Sequence, residues 1–246
     1  MIPKTIHYCW FGRGELPELA KKCIASWEKH CPDFEIIQWN EDNFDVESTP
    51  YTRWCYEQKK YAFLSDYVRL SVIHRHGGVY FDTDVEVLRP LSELMEYPAF
   101  FGFENEECIN TGCGFGAEAG HPAVAAMLDQ YDRLCPDETG AFVLKACPAL
   151  NTAALLPYGL KQDGSRQRVC GAELLPVDYM NPYDDPTGKL NRTENTISVH
   201  WYAKSWLSPG TVLRSKITRP FHRMFGTGCF RWLRRNKSNN TNSHHF

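Results

Sequence analysis

The stretch GGVYFDTDV, residues 77–85, decides how the rest of this chain of 246 residues is organised. Residues 79–81 form a short apolar, aromatic and β-branched run, which predicts a buried strand. The two glycines before it end a preceding helix and let the backbone turn into the strand. Asp82 and Asp84 follow directly, and residues two apart on an extended segment point the same way. We therefore expect the two carboxylates to converge on one point.

Converging carboxylates predict a metal site. They repel each other when unpaired, and a divalent cation such as Mg²⁺ or Mn²⁺, which prefers oxygen ligands, removes that cost. Asp-x-Asp alone more often marks a solvated turn, but this one follows an apolar strand, which is where ligands bind in α/β sheets. A phosphotransferase motif with the same start requires Thr or Val two residues after the second aspartate. Glu86 stands there and disfavours that reading.

The segment before the strand predicts a helix at Tyr61–His76, because apolar residues recur at every fourth position from Leu64 to Val72. Asp66 and Arg69 are three residues apart and share a face of this helix. They form either a surface ion pair of little energetic weight or a clamp for a sugar. In a clamp, the carboxylate binds sugar hydroxyls and the guanidinium binds a hydroxyl or a phosphate.

Residues 62–69 (AFLSDYVR) and 77–84 (GGVYFDTD) resemble the DXD sugar-transferase family, glycosyltransferase family 32, and are similar to the glucosyltransferase domains of the large clostridial toxins. Residues 2–12 (IPKTIHYCWFG) look like the opening strand of the family, and residues 200–206 (HWYAKSW) look like its closing motif. The resemblance implies a GT-A-like α/β fold with a Rossmann-like mixed sheet. It also implies a nucleotide-sugar donor, Mn²⁺ or Mg²⁺ as cofactor, and a place in the synthesis of capsular or other surface polysaccharides.

The resemblance assigns roles to several aromatic and polar residues. Trp10 is expected against the nucleotide base, since an aromatic ring offers a stacking face, and a core tryptophan is the equal alternative. Trp206 is expected to touch the glycosidic oxygen or a phosphate through its indole N–H. A lone histidine is usually structural, but His200 opens the closing motif and is expected to be the third metal ligand, in a set suited to Mn²⁺. Ser205 competes for that role, because the toxin relatives use an acid and a serine in this segment.

Asn110 lies in the glycine-rich segment 109–116, where a backbone or a ligand approaches closely, and it is either a sugar ligand or a turn residue. The charged loop 104–107 before it is expected to face an acceptor. The complete prediction for the site consists of the catalytic residues Asp82, Asp84 and Trp206, the donor-binding residues Trp10, Ser65, Asp66, Arg69, Tyr80, Asn110 and Ser205, and the metal ligands Asp82, Asp84 and His200.

Residues 1–210 are predicted to form one GT-A-like domain, and residues 211–246 a basic amphipathic tail with a disordered end. No glycine-rich phosphate loop of the Rossmann or Walker type occurs, so the phosphates must be held by another device. The elements predicted around the metal motif are strands at 4–11, 34–39, 85–88, 99–103, 173–177 and 196–200 and helices at 17–30, 51–59, 121–134 and 141–146.

Composition favours a globular protein of the cytoplasm, on the membrane's inner face if the tail binds lipid. No apolar run reaches the ~20 residues of a transmembrane helix, and the N-terminus has no charged-then-apolar signal region. The ten cysteines are scattered and contain no Cys-x-x-Cys, which favours reduced thiols over disulfides or a zinc site.

Charge is uneven along the chain. The net charge is −3, yet the segment from Arg214 onward carries eight Lys/Arg and no acid, which leaves 19 bases against 30 acids in the remainder. Apolar residues from Leu213 to Met224 share one helical face with bases opposite, although Pro220 argues against one unbroken helix. This pattern is typical of a membrane-surface segment. An ordinary packed helix is the alternative, and nucleic-acid binding has no supporting motif.

The sequence therefore predicts a metal-dependent glycosyltransferase that moves a hexose from a UDP- or GDP-linked sugar to a glycan or a lipid-linked saccharide. The metal stabilises the leaving nucleoside diphosphate. The resemblance implies retention of anomeric configuration, but no clear nucleophile is visible, which leaves open a same-face substitution assisted by the leaving phosphate. The alternatives are a non-catalytic protein that binds nucleotide-sugar or glycan, and a metal-dependent phosphohydrolase.

Overall fold

The computed structural model of the chain describes residues 1–204, 209–226 and 229. Its first part alternates strands and helices, as predicted. Pro17 stands just before the first helix, where its fixed φ suits a helix start. The elements up to the metal motif are β1 (Thr5–Cys9), α1 (Glu18–His30), β2 (Glu35–Trp39), α2 (Pro50–Glu57), α3 (Tyr61–His76) and β3 (Gly78–Tyr80).

The second part adds short strands and three further helices before the C-terminal helix. Its elements are β4 (Val85–Val87), a 3₁₀ turn (Leu94–Glu96), β5 (Ala99–Gly102), β6 (Phe115–Ala117), α4 (Pro122–Asp132), α5 (Cys147–Leu155), a 3₁₀ turn (Leu156–Tyr158), β7 (Gln167–Val169), β8 (Ala172–Leu175), α6 (Val177–Met180), β9 (Tyr183–Asp184), β10 (Lys189–Leu190), β11 (Ser198–His200) and α7 (Pro209–Phe225).

The helix predicted at 141–146 is wrong, because the helix of this region begins only at Cys147. Ala146 is extended, with φ −64° and ψ 138°, and Pro148 lies in the first helical turn. Proline is well placed there because its missing N–H has no partner to lose. Phe142 instead forms an isolated β-bridge with Pro136.

The central sheet has seven strands within the described residues, in the order β2-β1-β3-β6-β5-β8-β7. Strands β2, β1 and β3 are parallel, and so are β5 and β8, whereas β6 and β7 run antiparallel to their neighbours. This mixed sheet with helices confirms the predicted α/β class. Strand β4 does not continue the sheet, because it pairs antiparallel with β11 instead.

Both faces of the sheet are buried, and successive residues of a strand serve opposite faces. In β5, Phe101 joins the core cluster that packs against α2 to α5, whereas Phe100 joins the cluster built on α1 and β4. Tyr80 and Phe81 divide between the same two clusters. The end of β3 is therefore held from both sides, which fixes the start of the Asp-x-Asp segment.

The chain divides into two compact units, of which the first comprises residues 1–182 and 192–206 and the second residues 183–191 and 207–246. In the second unit, Arg219 bonds to Asp185, and Arg223 bonds to the carbonyls of Thr187 and Gly188. The expectation that Pro220 breaks the tail helix is wrong: α7 continues through it. A proline inside a helix removes one backbone donor and crowds the carbonyl four residues earlier, which can kink a helix without ending it.

Two further expectations from the sequence concern disulfides and membrane-spanning helices. None of the ten cysteines, all within the described residues, forms a disulfide. Among the helices that are described, none combines the length and the apolar character needed to cross a membrane.

Candidate active site

The Asp-x-Asp segment is a turn at the edge of the sheet where the parallel strands β1 and β3 end. His7 of β1 is in register with Tyr80 of β3, and the Phe81 amide donates to the His7 carbonyl at 3.1 Å. The Val85 amide donates to the Asp82 carbonyl at 3.0 Å, which closes a four-residue turn. The extended geometry expected for this segment is therefore wrong, and the turn together with the β4–β11 pair gathers the side chains.

Asp82, Asp84 and His200 each place a ligand atom within 4.8 Å of the others. His200 arrives because β11 pairs with β4, with His200 opposite Val85 in the register. Its Nε2 lies 3.2 Å from Asp84 Oδ1, and the Ala203 amide donates to Asp84 Oδ2 at 2.6 Å. Two carboxylates and an imidazole fit a divalent cation such as Mn²⁺. Ser205 and Trp206 lie outside the described residues.

On the other side of the turn, Asp82 belongs to a buried ion-pair network around Arg69. The Arg69 Nη2 lies 2.9 Å from Asp82 Oδ1 and 2.9 Å from Asp66 Oδ1. The Tyr80 hydroxyl donates to the same Asp82 oxygen at 3.0 Å. Arg69 is only 3% exposed, so this is not a surface ion pair. Its guanidinium is committed to two carboxylates of the protein.

The two aspartates of the motif differ electrostatically. Burial raises the pKa of Asp82, and the opposing charge of Arg69 does not cancel that rise. Burial also raises the pKa of Asp66, to about 7, against the pull of Arg69. At Asp84, the effect of burial is outweighed by His200 and by hydrogen bonds, so its pKa lies below the usual value. Burial lowers the pKa of His200, but the charges and hydrogen bonds of Asp84 and Cys113 together outweigh burial, so the pKa lies well above its usual value.

Asn110 is buried and forms part of the same neighbourhood rather than an exposed turn. Its Nδ2 donates to Glu104 Oε1 at 3.1 Å, and its Oδ1 accepts from the Gly112 amide at 2.7 Å. The Cys147 thiol donates to the same Asn110 oxygen at 3.3 Å and lies 3.7 Å from Arg69 Nη1. Asn110 is thereby joined to the Arg69 network.

Trp10 and Ser65 make fewer of the described contacts with the site. Trp10 is half-buried just beyond β1, at the sheet edge that also carries Asp82, and its indole N–H donates to the Gly14 carbonyl at 2.6 Å. The proposal that Trp10 stacks on the base is therefore supported by its position at this edge and not by its indole N–H, which is already bonded. Ser65 lies on α3; its carbonyl accepts from Arg69 Nε at 3.3 Å, and its side chain hydrogen-bonds to the Cys9 thiol.

Sequence reasoning missed three residues that complete the site. Cys113 lies 3.4 Å from His200 Nδ1, and the Tyr202 ring packs on the His200 ring with 4.1 Å between centroids and a tilt of 35°. Cys147 sits between Arg69 and Asn110. Tyr202 could have been suspected from the sequence, because it lies in the aromatic segment after His200. A single cysteine in an apolar or mixed stretch gives no sign of a role in a site.

Comparison with known proteins finds similarities in the region that contains this site. Residues 17–101 match the family model described as "Glycosyltransferase sugar-binding region containing DXD motif". The chain is 31% identical over 140 residues to inositol phosphoceramide mannosyltransferase 3 of Schizosaccharomyces pombe, which covers 54% of this chain and 38% of that protein. It is 24% identical over 132 residues to inositol phosphoceramide mannosyltransferase 1 of the same yeast, covering 49% and 40%.

The chain thus spans about two fifths of the length of these curated relatives. Among solved structures, it is similar to the PaToxG glycosyltransferase, with a TM-score of 0.47 and 19% identity over 63% of this chain and 69% of that one.

Proposed function

Since residues 17–101 match the family model of the DXD sugar-binding region, we propose that the chain is a metal-dependent glycosyltransferase of that family. It moves a hexose from a nucleotide-sugar donor, UDP- or GDP-linked, to a glycan or a lipid-linked saccharide, in the synthesis of a surface polysaccharide. The observation that supports this most is the cluster of Asp82, Asp84 and His200 at the carboxyl end of β3. Mannosyl transfer, which the names of the yeast relatives give for those proteins, makes mannose the first sugar to test.

In this proposal, Asp82, Asp84 and His200 hold Mn²⁺ or Mg²⁺, which supplies charge neutralisation for the leaving nucleoside diphosphate. Asp66 presents its second carboxylate oxygen, Oδ2, to hydroxyls of the donor sugar. Arg69 keeps Asp66 and Asp82 in place, because its guanidinium bonds to both.

Further donor contacts are proposed for Trp10 with the base, for Ser65, Tyr80 and Asn110 around the sugar, and for Ser205. Trp206 is proposed to contact the glycosidic oxygen. Ser205 and Trp206 rest on the family resemblance alone.

Retention of configuration is proposed on the same resemblance. The bond between the anomeric carbon and the diphosphate oxygen breaks, the acceptor oxygen bonds to the same face, and the acceptor proton passes to the leaving diphosphate. The anomeric configuration of the first product, read by NMR, tests this step: an inverted product contradicts it.

The experiment that tests the function is a panel of UDP- and GDP-linked hexoses, each measured with Mn²⁺ and with EDTA. We expect at least one donor to be hydrolysed and to raise the melting temperature only when the metal is present. The EDTA arm of the same protein is the matched control. A panel in which no donor is consumed and none stabilises the protein contradicts the proposal.

We also propose that the tail binds an anionic membrane surface. In α7, Leu213, Ile217 and Met224 are exposed apolar residues. Arg219 and Arg223 are engaged within their own unit, so we assign lipid binding to the bases after Gly226. A truncation after Gly226 is expected to keep donor hydrolysis and to lose sedimentation with anionic vesicles at low salt. Wild-type protein that never sediments with these vesicles contradicts the idea.

A further inference from the structure

Glu104 follows β5 and is held by a directional chain of hydrogen bonds. Its Oε1 accepts from Asn110 Nδ2 at 3.1 Å and from the Tyr202 hydroxyl at 3.2 Å. The Asn181 Nδ2 donates to the Tyr202 oxygen at 2.7 Å, which turns the hydroxyl proton of Tyr202 toward Glu104. Asn181 also donates to the Glu104 carbonyl at 2.9 Å, so the backbone is fixed as well. Glu104 is therefore a positioned carboxylate rather than a mobile loop residue.

The second oxygen of this carboxylate, Oε2, has no hydrogen bond or ion pair within the part of the chain that the structure describes. A carboxylate accepts hydrogen bonds at about four lone-pair sites, and Oε1 already uses two of them. The side chain is half-buried, in contrast to the exposed Glu106 and Glu107 of the same loop. A rigid, half-buried oxygen that only accepts hydrogen bonds is suited to a ligand that donates them, such as a hydroxyl group.

Glu104 is linked to two of the proposed metal ligands, through one residue on one side and through two on the other. On the first side, the Tyr202 ring packs on His200 with 4.1 Å between the ring centroids. On the second, Asn110 bonds to the Gly112 amide, and Gly112 packs so closely on Asp82 that an added Cβ would lie 2.5 Å from Asp82 Oδ2. Glu104 therefore borders the surroundings of the proposed metal site.

Two substrates must meet at such a site, and the polar groups divide between them. Asp66 and Arg69, which are assigned to the donor sugar, lie on α3 and make no hydrogen bond to Glu104 or Tyr202 among the described contacts. Glu104 and Tyr202 lie on the side of His200, and Asn110, which is proposed to contact the donor sugar, bonds to Glu104 as well. A donor sugar held by Asp66, Arg69 and Asn110 leaves Glu104 Oε2 for the other substrate.

We infer that Glu104 binds a hydroxyl group of the saccharide acceptor through Oε2, with Asn110 and Tyr202 as positioning residues that hold Oε1. This inference rests on the proposed function and adds the acceptor subsite to it. Glu104 binds and orients the hydroxyl. Orienting a reacting group close to its target accelerates a reaction by itself.

The substitution Glu104→Gln tests the assignment with little structural change. The amide oxygen of Gln can accept from Asn110 and Tyr202 as Oε1 does, while its NH₂ group donates where Oε2 accepts. The probes are the methyl α- and β-glycosides of mannose, glucose and galactose, measured by how far each accelerates consumption of the donor that the panel identifies. The matched control is Glu107→Gln, an exposed glutamate on the same loop.

For Glu104→Gln, we expect kcat/KM for the accelerating glycoside to fall roughly 10- to 100-fold, mainly through a higher KM, as for the loss of a hydrogen bond to a charged group. Donor hydrolysis in water and the melting temperature should stay within twofold and about 2 °C of wild type. Glu107→Gln should match wild type in all three measurements.

Two results overturn the inference. One is Glu104→Gln with unchanged kcat/KM for the glycoside, and the other is a wild-type protein that hydrolyses donor but is accelerated by none of the glycosides. In both, donor hydrolysis persists and the proposed function stands. A protein that consumes no donor at all contradicts the proposed function instead.

Discussion

The two aspartates of the Asp-x-Asp turn stand only two residues apart, yet they belong to different regions of the molecule. Asp82 bonds to Arg69 and Tyr80, which are 13 and 2 residues away in sequence. Asp84 bonds to His200 and to the Ala203 amide, the latter 119 residues away. We call the first set the Arg69 side and the second the His200 side. The Arg69 side is assembled by local structure, whereas the His200 side exists only because β4 pairs with β11.

The two sides also differ in what their charges do. On the Arg69 side, two carboxylates share one buried guanidinium, and burial raises the pKa of both. On the His200 side, the ion pair lowers the pKa of Asp84 and raises that of His200. Breaking a buried ion pair by removing one partner destabilises a protein strongly. Arg69 stays charged when a partner is lost, whereas His200 can become neutral. We therefore expect the Arg69 side to contribute more to stability than the His200 side, and the His200 side to contribute mainly to metal binding.

The largest expected effect is that of Asp84→Asn. The substitution keeps the shape of the side chain, and its amide oxygen can still accept from the Ala203 amide, but it removes a negative charge from the cation site. We expect Mn²⁺-dependent donor hydrolysis to fall about 10³-fold, which corresponds to roughly 4 kcal/mol of lost transition-state stabilisation. The rise of melting temperature on addition of Mn²⁺ should disappear as well.

The companion variant Asp82→Asn is the control that separates the two sides. It removes a partner of the buried Arg69, which cannot lose its charge, so it should lower the melting temperature of the metal-free protein. Asp84→Asn removes the partner of the buried His200. Because an imidazole can become neutral by losing its proton, the loss of melting temperature should be smaller in Asp84→Asn. Near-wild-type turnover of Asp84→Asn with Mn²⁺ would contradict the metal site. Equal losses of melting temperature in both variants would contradict the division into two sides.

Arg69→Lys should have the next largest effect. Lysine keeps the charge but loses the planar fork that reaches Asp66 and Asp82 together. We expect a cost of about 2 kcal/mol in the free energy of unfolding, and a melting temperature about 4–8 °C lower. Use of the donor sugar should fall more than binding of the free nucleoside diphosphate does, because Asp66 is released.

The matched control for this variant is Arg133→Lys. Arg133 pairs with Asp129 on the exposed surface of α4, where an ion pair contributes about 0.5 kcal/mol or less. If calorimetry shows that Arg69→Lys weakens binding of the donor and of the free nucleoside diphosphate equally, Arg69 acts on the structure alone.

Gly112→Ala probes the packing of the Arg69 side sterically. An added Cβ would lie 2.5 Å from Asp82 Oδ2 and 2.9 Å from Arg69 Nη1, too close for any real contact. The neighbours must move, at a cost of about 1–3 kcal/mol. We expect a lower melting temperature and impaired hydrolysis. Gly210→Ala is the matched control, since nothing lies within 4 Å of a Cβ there. Equal stability of the two alanine variants would show that Gly112 is not packed against the site.

The Arg69 side was largely predictable because its information is local. The period of the apolar residues gave helix Tyr61–His76 with the bounds that the structure shows, and the spacing of Asp66 and Arg69 placed them on one face. That Arg69 is buried and also reaches Asp82 depends on how α3 packs over β3, which spacing does not encode.

The His200 side could not be predicted from the pattern of residues along the sequence. Nothing in the sequence specifies that β4 leaves the main sheet to pair with β11, so His200 was found only through the family resemblance. The same limit applies to Cys113 and Tyr202. Cys113 contacts His200 from 87 residues away in sequence, and Tyr202 contacts it by ring packing that the sequence does not specify. Conversely, the strand ends and turns were predicted well where glycine or proline fixes the backbone, as at Gly77 and Pro17.

Tyr80→Phe should have the smallest effect, and it measures how firmly the Arg69 side holds Asp82. The Tyr80 hydroxyl donates to Asp82 Oδ1 at 3.0 Å, so its removal loses one hydrogen bond to a charged group while Arg69 keeps the carboxylate in place. We expect a cost of about 1.5 kcal/mol in the free energy of unfolding and a loss of donor hydrolysis of roughly tenfold or less. The control is Tyr131→Phe, since the buried Tyr131 hydroxyl has no hydrogen-bond partner among the described residues. Removing that hydroxyl should leave the free energy of unfolding unchanged or raise it, because an unsatisfied buried polar group is itself a cost. If Tyr80→Phe proves as stable and as active as Tyr131→Phe, Arg69 alone positions Asp82, and Tyr80 is no more than a core aromatic residue.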